Sequence, residues 1–348
     1  DTARMPTAFV TGATGFLGLN LVEQLSERGW VVHAYHRPTS DTKRLRTFPV
    51  RLAEGDIADF DAVAAAMPQG ADAVFHLAAN TSTWARHNAE QTRDNIDGTK
   101  AVIAAARGKG AKRLIHVSTW ATYGIEHATI HESTSQSGQF SKINYVRSKA
   151  LAEQEVKRAA AEGLPAVIFN PAHIVGRYDH KGWGRMFALV ANRKLPGIPP
   201  SSGSFCHAEA VARAMIAAVE RGRIGHNYLL GGCDANFADV IRFISDLAGQ
   251  PATRRTLTPF SIRVVGRWKA TLAALTGREP DLTPEAAELI LAHPRIVSTK
   301  ARDELGYQPT SLRLMLDDAY RWLKGEGYLA HSERPSPVAP RRPALAER

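Results

Sequence analysis

Three glycines spaced three residues apart, Gly12, Gly15 and Gly18, constrain the fold of this chain more than any other feature. They follow a short apolar stretch at 7–10, which is typical of a buried strand, and apolar residues then recur at helical spacing over 16–28. A glycine turn between a strand and a helix lets a diphosphate approach free backbone N–H groups. The sequence therefore predicts a dinucleotide site with contacts from Gly12, Thr14, Gly15, Phe16, Leu17 and Gly18.

The rest of the first half alternates apolar runs with helical patterns. Helices are expected at 92–107 and 145–162. Strands joined by long helices form right-handed crossovers, which give a parallel sheet covered on both faces. The predicted fold class is therefore α/β, a doubly wound parallel-sheet Rossmann fold, with strands at 7–10, 30–35, 50–53, 73–76, 114–117 and 166–170.

The second half has a different composition, because glycine and proline become frequent after Pro171. We expect residues 5–175 to form the dinucleotide-binding Rossmann domain, with later segments returning to it. Residues 176–330 are expected to form mainly a smaller C-terminal substrate-binding lobe, and 331–348 a mobile tail. Further elements are expected as helices at 209–220, 237–247, 259–274, 284–291 and 311–324 and as a strand at 227–230.

Charge and cysteine content exclude several classes of protein. The 348 residues include 44 Lys and Arg against 34 Asp and Glu, a formal net charge of +10, but no nucleic-acid-binding motif accompanies the excess. We therefore expect no nucleic acid partner. The two isolated cysteines lack the spacing of a metal site, so no metal is expected. With no apolar run of about 18 residues and no visible signal peptide, we expect no membrane span and a cytoplasmic location.

The end of the second strand indicates which dinucleotide binds. Enzymes that prefer NAD usually carry an acidic residue there, which binds the ribose 2′-hydroxyl. This chain has none, and Arg37 is placed to meet a 2′-phosphate, with help from Ser40, Lys43 and Arg44. NADP is therefore expected, and NAD remains an alternative. Asp56 and Ile57 are expected beside the adenine, where Asp56 would accept a hydrogen bond from its amino group or cap the next helix.

Tyr145 and Lys149 are spaced so that they share one face of a helix. A free phenol has a pKa of about 10, too high for a general base near neutrality. A neighbouring ammonium lowers the pKa of a phenol by favouring the phenolate. The preceding strand ends in Ser118 and Thr119, whose hydroxyls could bind the same substrate oxygen.

These motifs together resemble those of a known family. The chain resembles the extended short-chain dehydrogenase/reductases, the NAD-dependent epimerase/dehydratase family, and within it the dihydroflavonol-4-reductase-like subgroup. The resemblance covers about 5–325. It is carried, in order, by the glycine turn, His76-Leu77-Ala78-Ala79, Asn95-x-x-Gly98-Thr99, Ser118-Thr119 with Tyr123-Gly124, and Tyr145-x-x-x-Lys149.

The resemblance implies a role for each matching residue. Tyr145 would be the general acid/base, and Lys149 would hold the nicotinamide ribose and lower the phenol pKa. Thr119 would be the third catalytic group, with Ser118 as the fallback. The remaining cofactor contacts would be the backbone of Leu77, Ala78 and Ala79, the helix-bracing Asn95, and the Asn170-Pro171 pair closing on the nicotinamide.

The family contains sugar-nucleotide enzymes and reductases, and three departures favour a reductase. Trp120-Ala121 stands where dehydratases often carry Asp-Glu, Val175-Gly176-Arg177 where epimerases commonly carry Tyr-Gly-Pro, and Ser204 where they often carry an arginine. An NAD-retaining sugar-nucleotide epimerase remains an alternative, since Arg177, Arg185 or Arg193 could still bind a phosphate. A hydroxysteroid-dehydrogenase-like enzyme is a further alternative. A non-catalytic NADP sensor is disfavoured because Tyr145 and Lys149 are both present.

The expected activity is an NADP(H)-dependent reductase or dehydrogenase. It would transfer hydride between the nicotinamide and a carbonyl or secondary alcohol of a hydrophobic or aromatic small molecule. Large side chains in the regions that should contact substrate support an apolar ligand, although they could equally be core residues. The candidate substrate contacts are Trp84, Trp120, Phe140, His173, Met186 and Phe187.

One helical segment of the second half is amphipathic and basic. Phe260, Val264, Trp268 and Leu272 recur every four residues over 259–275, with arginines beside them. Such a helix could lie on an anionic membrane surface, pack over the substrate site or contact another subunit. A homodimer is typical of the family that the chain resembles, and it remains an expectation.

Overall fold

The computed structural model describes residues 4–253 and 255–329, so the tail expected at 331–348 lies outside the described residues. The strands are β1 (Thr7–Thr11), β2 (Val31–His36), β3 (Val50–Glu54), β4 (Ala73–His76), β5 (Leu114–Val117), β6 (Thr129–Ile130), β7 (Ala166–Pro171), β8 (His173–Val175), β9 (Ser202–His207), β10 (Asn227–Leu230), β11 (Cys233–Asn236) and β12 (Arg295–Ile296). The α-helices are α1 (Phe16–Glu27), α2 (Phe60–Ala66), α3 (Asn88–Thr92), α4 (Gly98–Gly108), α5 (Asn144–Ala161), α6 (Trp183–Ala191), α7 (Ala208–Arg221), α8 (Phe237–Leu247), α9 (Pro259–Thr276), α10 (Pro284–Leu291), α11 (Thr299–Leu305) and α12 (Leu312–Gly325).

Seven parallel strands form the central sheet in the order β3-β2-β1-β4-β5-β7-β10. The first strand, β1, lies inside the sheet, with β2 and β3 on one side of it and the later strands on the other, which is the doubly wound arrangement. All seven strands were predicted, with bounds that differ by at most one residue at either end. The predicted α/β Rossmann fold is confirmed, and the carboxyl ends of the strands meet along one edge, where such sheets bind ligands.

Helices cover both faces of this sheet. Leu21 and Leu25 of α1 and Met215 of α7 belong to the core on one face, together with side chains of β1 and β4. Val63 of α2, Val102 of α4 and Val156 of α5 belong to the core on the other face. These are the continuous apolar contacts that a parallel sheet, buried on both sides, requires.

The second half builds a separate apolar core around a second sheet of order β11-β9-β8. Phe187 of α6, Phe205 of β9 and Phe237 of α8 meet in that core. The sequence did not predict β8, which has only 3 residues, or β9 and β11, in which small and polar residues interrupt the apolar pattern. Although β10 follows this lobe's first strands in the chain, it pairs with β7 in the central sheet. The division at 175 stays a prediction. Within the described residues, no helix is long and apolar enough to cross a membrane.

Candidate active site

The glycine turn brings the start of α1 close to the end of β4. Gly12 has a φ of 71°, and a Cβ there would lie 2.7 Å from the backbone nitrogen of Ala78. A Cβ on Gly18 would overlap the carbonyl oxygen of Gly12. Only glycine allows these approaches, so the turn is held tightly between β1 and β4. The N–H groups at the start of α1 remain available for a diphosphate.

A cleft of about 890 Å³ opens beside this turn. Its walls fit a dinucleotide, because backbone groups of the glycine turn lie at one end and the tip of β2 borders the same space. Phe16 and Leu17 instead pack toward the core next to the sheet. The lining residues that the sequence predicted as cofactor contacts are Gly12, Thr14, Gly15, Arg37, Ile57, Leu77, Ala78 and Ala79.

Arg37 is the cation that the tip of β2 offers to the cleft. Its side chain is exposed and forms no ion pair with any described residue. Arg44, which was expected to assist, instead pairs with Glu326. Asp56 is held by the Arg93 guanidinium, with one contact of 2.7 Å, and does not line the cleft. Its proposed contact with adenine stays a prediction, whereas the helix cap belongs to Asp59.

Asn95 connects the cleft wall to the helix that carries Tyr145. Its Oδ1 accepts a hydrogen bond from the backbone N–H of Asn80 at 2.8 Å, and Asn80 lines the cleft. Its Nδ2 donates to Ser148 Oγ of α5 at 2.9 Å. Asn95 therefore braces α5 against the cleft wall, in the position that the sequence resemblance implied.

Tyr145, Lys149 and Thr119 meet where β5 ends and α5 begins. Burial raises the pKa of Tyr145, and a hydrogen bond with the Thr119 hydroxyl acts to lower it. Burial lowers the pKa of Lys149 to about 8, against the opposing effect of the Glu153 carboxylate. The Lys149 Nζ donates to the Val117 carbonyl oxygen at 2.7 Å. The expected lowering of the phenol pKa by Lys149 is therefore not a feature of this arrangement, in which Thr119 supplies the lowering contact.

Glu153 is a residue that the sequence analysis missed. It lies one turn after Lys149 on α5, is almost fully buried, and accepts hydrogen bonds from five side chains. Its pKa is lowered, because the Lys157 ammonium at 3.1 Å and these donors outweigh the effect of burial. Five donors stabilise the ionised carboxylate. The donors are Ser118 (2.7 Å), Thr122 (3.0 Å), Gln136 (2.7 Å), Asn170 (2.9 Å) and Asn227 (2.7 Å).

Two predicted site residues have side chains that belong to this network. Ser118 donates its hydroxyl to Glu153, and its role as the fallback for Thr119 stays a prediction. Asn170 donates to Glu153 and to the Thr119 carbonyl oxygen, at 3.0 Å. The contact of the Asn170-Pro171 backbone with the nicotinamide stays a prediction, and the Asn170 side chain instead fixes the strand end beneath Thr119.

The predicted substrate residues do not line the cleft. Phe187 and Trp120 are core residues, at 0% and 6% exposure, so their contact with a substrate stays a prediction. His173 packs among Trp183, Phe205 and Phe237, and Met186 packs against the core of the same lobe. Phe140 is 81% exposed, and Trp84 is buried against His87. An aromatic residue in a glycine- and proline-rich stretch does not by itself distinguish a ligand wall from a lobe core.

The outer wall of the cleft comes from residues that sequence reasoning did not select as a group. Lys181 and Arg185 line it together with Glu279, Pro280 and Asp281. Arg185 pairs with Asp281 at 3.2 Å. Glu279 accepts a hydrogen bond from Ser82 at 2.9 Å, which joins this wall to the loop after β4.

Two of the arginines that were considered for a substrate phosphate have other partners. Arg177 lies 2.6 Å from Glu23 and also contacts Glu209. Arg193 donates to Gln250 at 2.8 Å. Of the three candidates, Arg185 is therefore the one that borders the cleft.

Comparison with known proteins assigns the chain to a family. The model of the NAD-dependent epimerase/dehydratase family matches residues 8–231, more than half of the chain. The chain belongs to this family. The resemblance inferred from its motifs is confirmed, and the family's description implies a nicotinamide cofactor.

Relatives over nearly the whole chain include reductase-like proteins. A Synechocystis protein with the provisional name dihydroflavonol 4-reductase is 29% identical over 92% of this chain and 95% of its own. Sterol demethylase protein B of Methylococcus capsulatus is 30% identical over 93% of this chain and 100% of its own. The crystal structure of gox2253 matches with a TM-score of 0.79 and 33% identity, over 92% of this chain and 98% of that one.

Proposed function

We propose that the protein is an NADP(H)-dependent reductase or dehydrogenase acting on a carbonyl or secondary alcohol of a hydrophobic or aromatic small molecule. The observation that carries the proposal is the meeting of Tyr145, Thr119 and Lys149 at the carboxyl end of β5, on a helix braced to the cleft wall. The dihydroflavonol-reductase-like relative supports a carbonyl substrate, and the sterol-processing relative supports an apolar one.

Each of the three side chains has a defined task in this reaction. A nicotinamide bound in the cleft would supply or accept the hydride. Thr119 and Tyr145 would donate hydrogen bonds to the substrate oxygen, where negative charge develops during reduction. Tyr145 Oη would give its proton to that oxygen in reduction and take it back in oxidation. The Lys149 ammonium, which donates to the Val117 carbonyl oxygen at the end of β5, would hold the hydroxyls of the nicotinamide ribose, as the sequence resemblance implies.

The preference for NADP rests on Arg37. Its guanidinium is exposed at the tip of β2, borders the cleft and has no ionic partner among the described residues. A planar guanidinium binds a phosphate bidentately and stacks on an aromatic ring. No acidic residue follows β2 at the place where an NAD enzyme binds the ribose.

The test is a panel of ketones and aldehydes assayed with NADPH and with NADH. Tyr145→Phe should lower kcat by roughly 10²–10⁴-fold, whereas Tyr320→Phe, on α12, should leave it unchanged. Arg37→Ala should raise KM for NADPH and not for NADH, with Arg46→Ala as the matched control. Turnover that survives Tyr145→Phe would refute the catalytic assignment, and equal effects of Arg37→Ala on both cofactors would refute the NADP preference.

A sugar-nucleotide epimerase is the second candidate, and Lys181 with Arg185 is the observation that favours it. Both cations border the cleft, where they could hold a substrate diphosphate. Such an enzyme keeps its NAD bound and recycles it. Purified protein that releases NAD on denaturation and ignores added NADPH would favour the epimerase over the reductase.

A further inference from the structure

Helix α9 presents an apolar face to solvent. Its inward side carries Ile262, Gly266 and Ala273, and Gly266 packs against the start of α10, where a Cβ would lie 3.2 Å from the Thr283 carbonyl oxygen. Its larger apolar side chains point the other way. We call these the outer face of α9: Phe260 (76% exposed), Val264, Trp268 (63%), Leu272 and Leu275 (82%).

This arrangement is unusual for a surface helix of a soluble protein. Residues spaced by four, four, four and three lie along one side of an α-helix, so the outer face is one continuous stripe. The residues that pack inward are mostly small, while the large ones remain exposed. A contiguous exposed apolar stripe indicates an interaction surface, whereas scattered single residues would not.

Positive charge borders the stripe, and α9 itself contains no acidic residue. Arg263 and Arg267 lie next to the outer face, and Arg255 and Arg278 lie beyond the two ends of the helix. Arg263 pairs with Glu288 at 2.7 Å, and Lys269 pairs with Asp281. Within the described residues, Arg255, Arg267 and Arg278 have no ion pair.

Either a second copy of this chain or an anionic lipid surface could cover the outer face of α9, and the positive charge beside it favours the lipid surface. In a symmetric contact centred on the stripe, Arg267, near the middle of α9, would face the same arginine of the other copy. Glu288 and Asp281, which contact cations of α9, are already paired, so such a contact would bring like charges together. An anionic lipid surface instead supplies phosphates to the arginines and an acyl boundary to the apolar stripe, and a tryptophan is well suited to that boundary.

We propose that the outer face of α9 docks the protein on an anionic lipid surface. The segment after α9 carries Glu279, Pro280 and Asp281, which line the cleft, and Thr283 Oγ1 donates to Thr83 Oγ1 in the loop after β4 at 2.9 Å. Docking along α9 therefore sets the rim of the cleft beside the lipid. The inference does not depend on which reaction the cleft performs.

The test is co-sedimentation of the full chain with lipid vesicles. One set contains phosphatidylcholine alone, and the other also contains phosphatidylglycerol. We expect binding to the second set, weakened by high salt because the charge attraction is screened. Arg267→Glu should weaken it roughly tenfold or more, since each charge near such a surface is worth about 1 kcal/mol. Trp268→Ser combined with Leu275→Ser should weaken it at least as much.

Matched variants exist on α12. Leu314 is 62% exposed and Arg313 is exposed beside it. Leu314→Ser and Arg313→Glu therefore remove an exposed apolar side chain and reverse an exposed charge away from α9. These controls should bind like the unaltered protein. The proposal is overturned by absence of binding to phosphatidylglycerol vesicles, or by equal losses in the α9 and α12 variants. It is also overturned if the protein self-associates without lipid in sedimentation velocity and the α9 variants abolish that association, which would assign the stripe to a second copy.

Discussion

Replacing Glu153 by Gln tests the buried hydrogen-bond network next to Thr119 and Lys149. The carboxylate accepts three donors on Oε2 and two on Oε1, besides its contact with Lys157. Glutamine keeps one acceptor oxygen but presents an NH2 group to donors on the other side, which leaves buried donors unpaired. Removing one member of a buried charged network costs about 3–5 kcal/mol. Because half of the acceptor capacity remains and Lys157 is partly exposed, we expect a loss of about 3 kcal/mol in the free energy of unfolding.

The assay is urea-induced unfolding at neutral pH, with Glu155→Gln as the matched control. Glu155 lies on the same helix and pairs with Arg158 at the surface, so its replacement should cost less than about 1 kcal/mol. Equal losses for the two variants would refute the reasoning.

The effect of Glu153→Gln also has a defined pH dependence. Since the folded protein lowers the pKa of Glu153, this residue stabilises the fold above the ordinary carboxyl pKa and loses that contribution as the pH falls through its folded pKa. The difference in stability between the unaltered protein and Glu153→Gln should therefore shrink in acid. A difference that grows as the pH falls below about 4.3 would contradict the assignment.

Two further perturbations test the turn and the buried ammonium. Gly18→Ala places a Cβ on the Gly12 carbonyl oxygen, so it should abolish cofactor binding measured by titration calorimetry, whereas Gly108→Ala, with open space around it, should preserve it. Lys149→Met removes an ammonium whose pKa is lowered by burial, so it should leave the urea midpoint unchanged or raised while kcat falls at least tenfold. A lowered midpoint with unchanged kcat would make Lys149 a structural residue.

Local patterns predicted the central sheet because its strands are short, mostly apolar segments between turns. Bounds at Ala73–His76, Leu114–Val117 and Asn227–Leu230 were predicted to the residue. The glycine turn was equally predictable, because the close backbone contacts that require glycine at Gly12 and Gly18 lie within or beside one strand–turn–helix unit. The second sheet was not, because Ser202–His207 has too few apolar residues to be recognised as a strand. The pairing of β9 with β8 and β11 joins segments that are distant in the sequence, so local patterns do not predict it.

The candidate site divides in the same way. Motifs located Thr119, Tyr145 and Lys149, which lie on adjacent elements. They did not locate the outer cleft wall, because Lys181 and Asp281 are separated by a hundred residues in the chain and meet only in the folded lobe. Glu153 was not predicted for a related reason. A glutamate four residues before a lysine on a helix, as Glu153 is before Lys157, is typical of a surface ion pair.

The two halves of the chain are therefore coupled through the electrostatics of one helix. Lys149 is buried, and burial lowers its pKa. The Glu153 carboxylate one turn away opposes that effect, and the Lys157 ammonium and the hydrogen-bond donors around Glu153 lower its own pKa. One of those donors, Asn227, lies on β10. This strand follows β8 and β9 in the chain but pairs with β7 in the central sheet. The electrostatic environment of Lys149 thus includes a residue from the second half of the chain, because Asn227 donates to the Glu153 carboxylate that opposes the effect of burial on the lysine pKa.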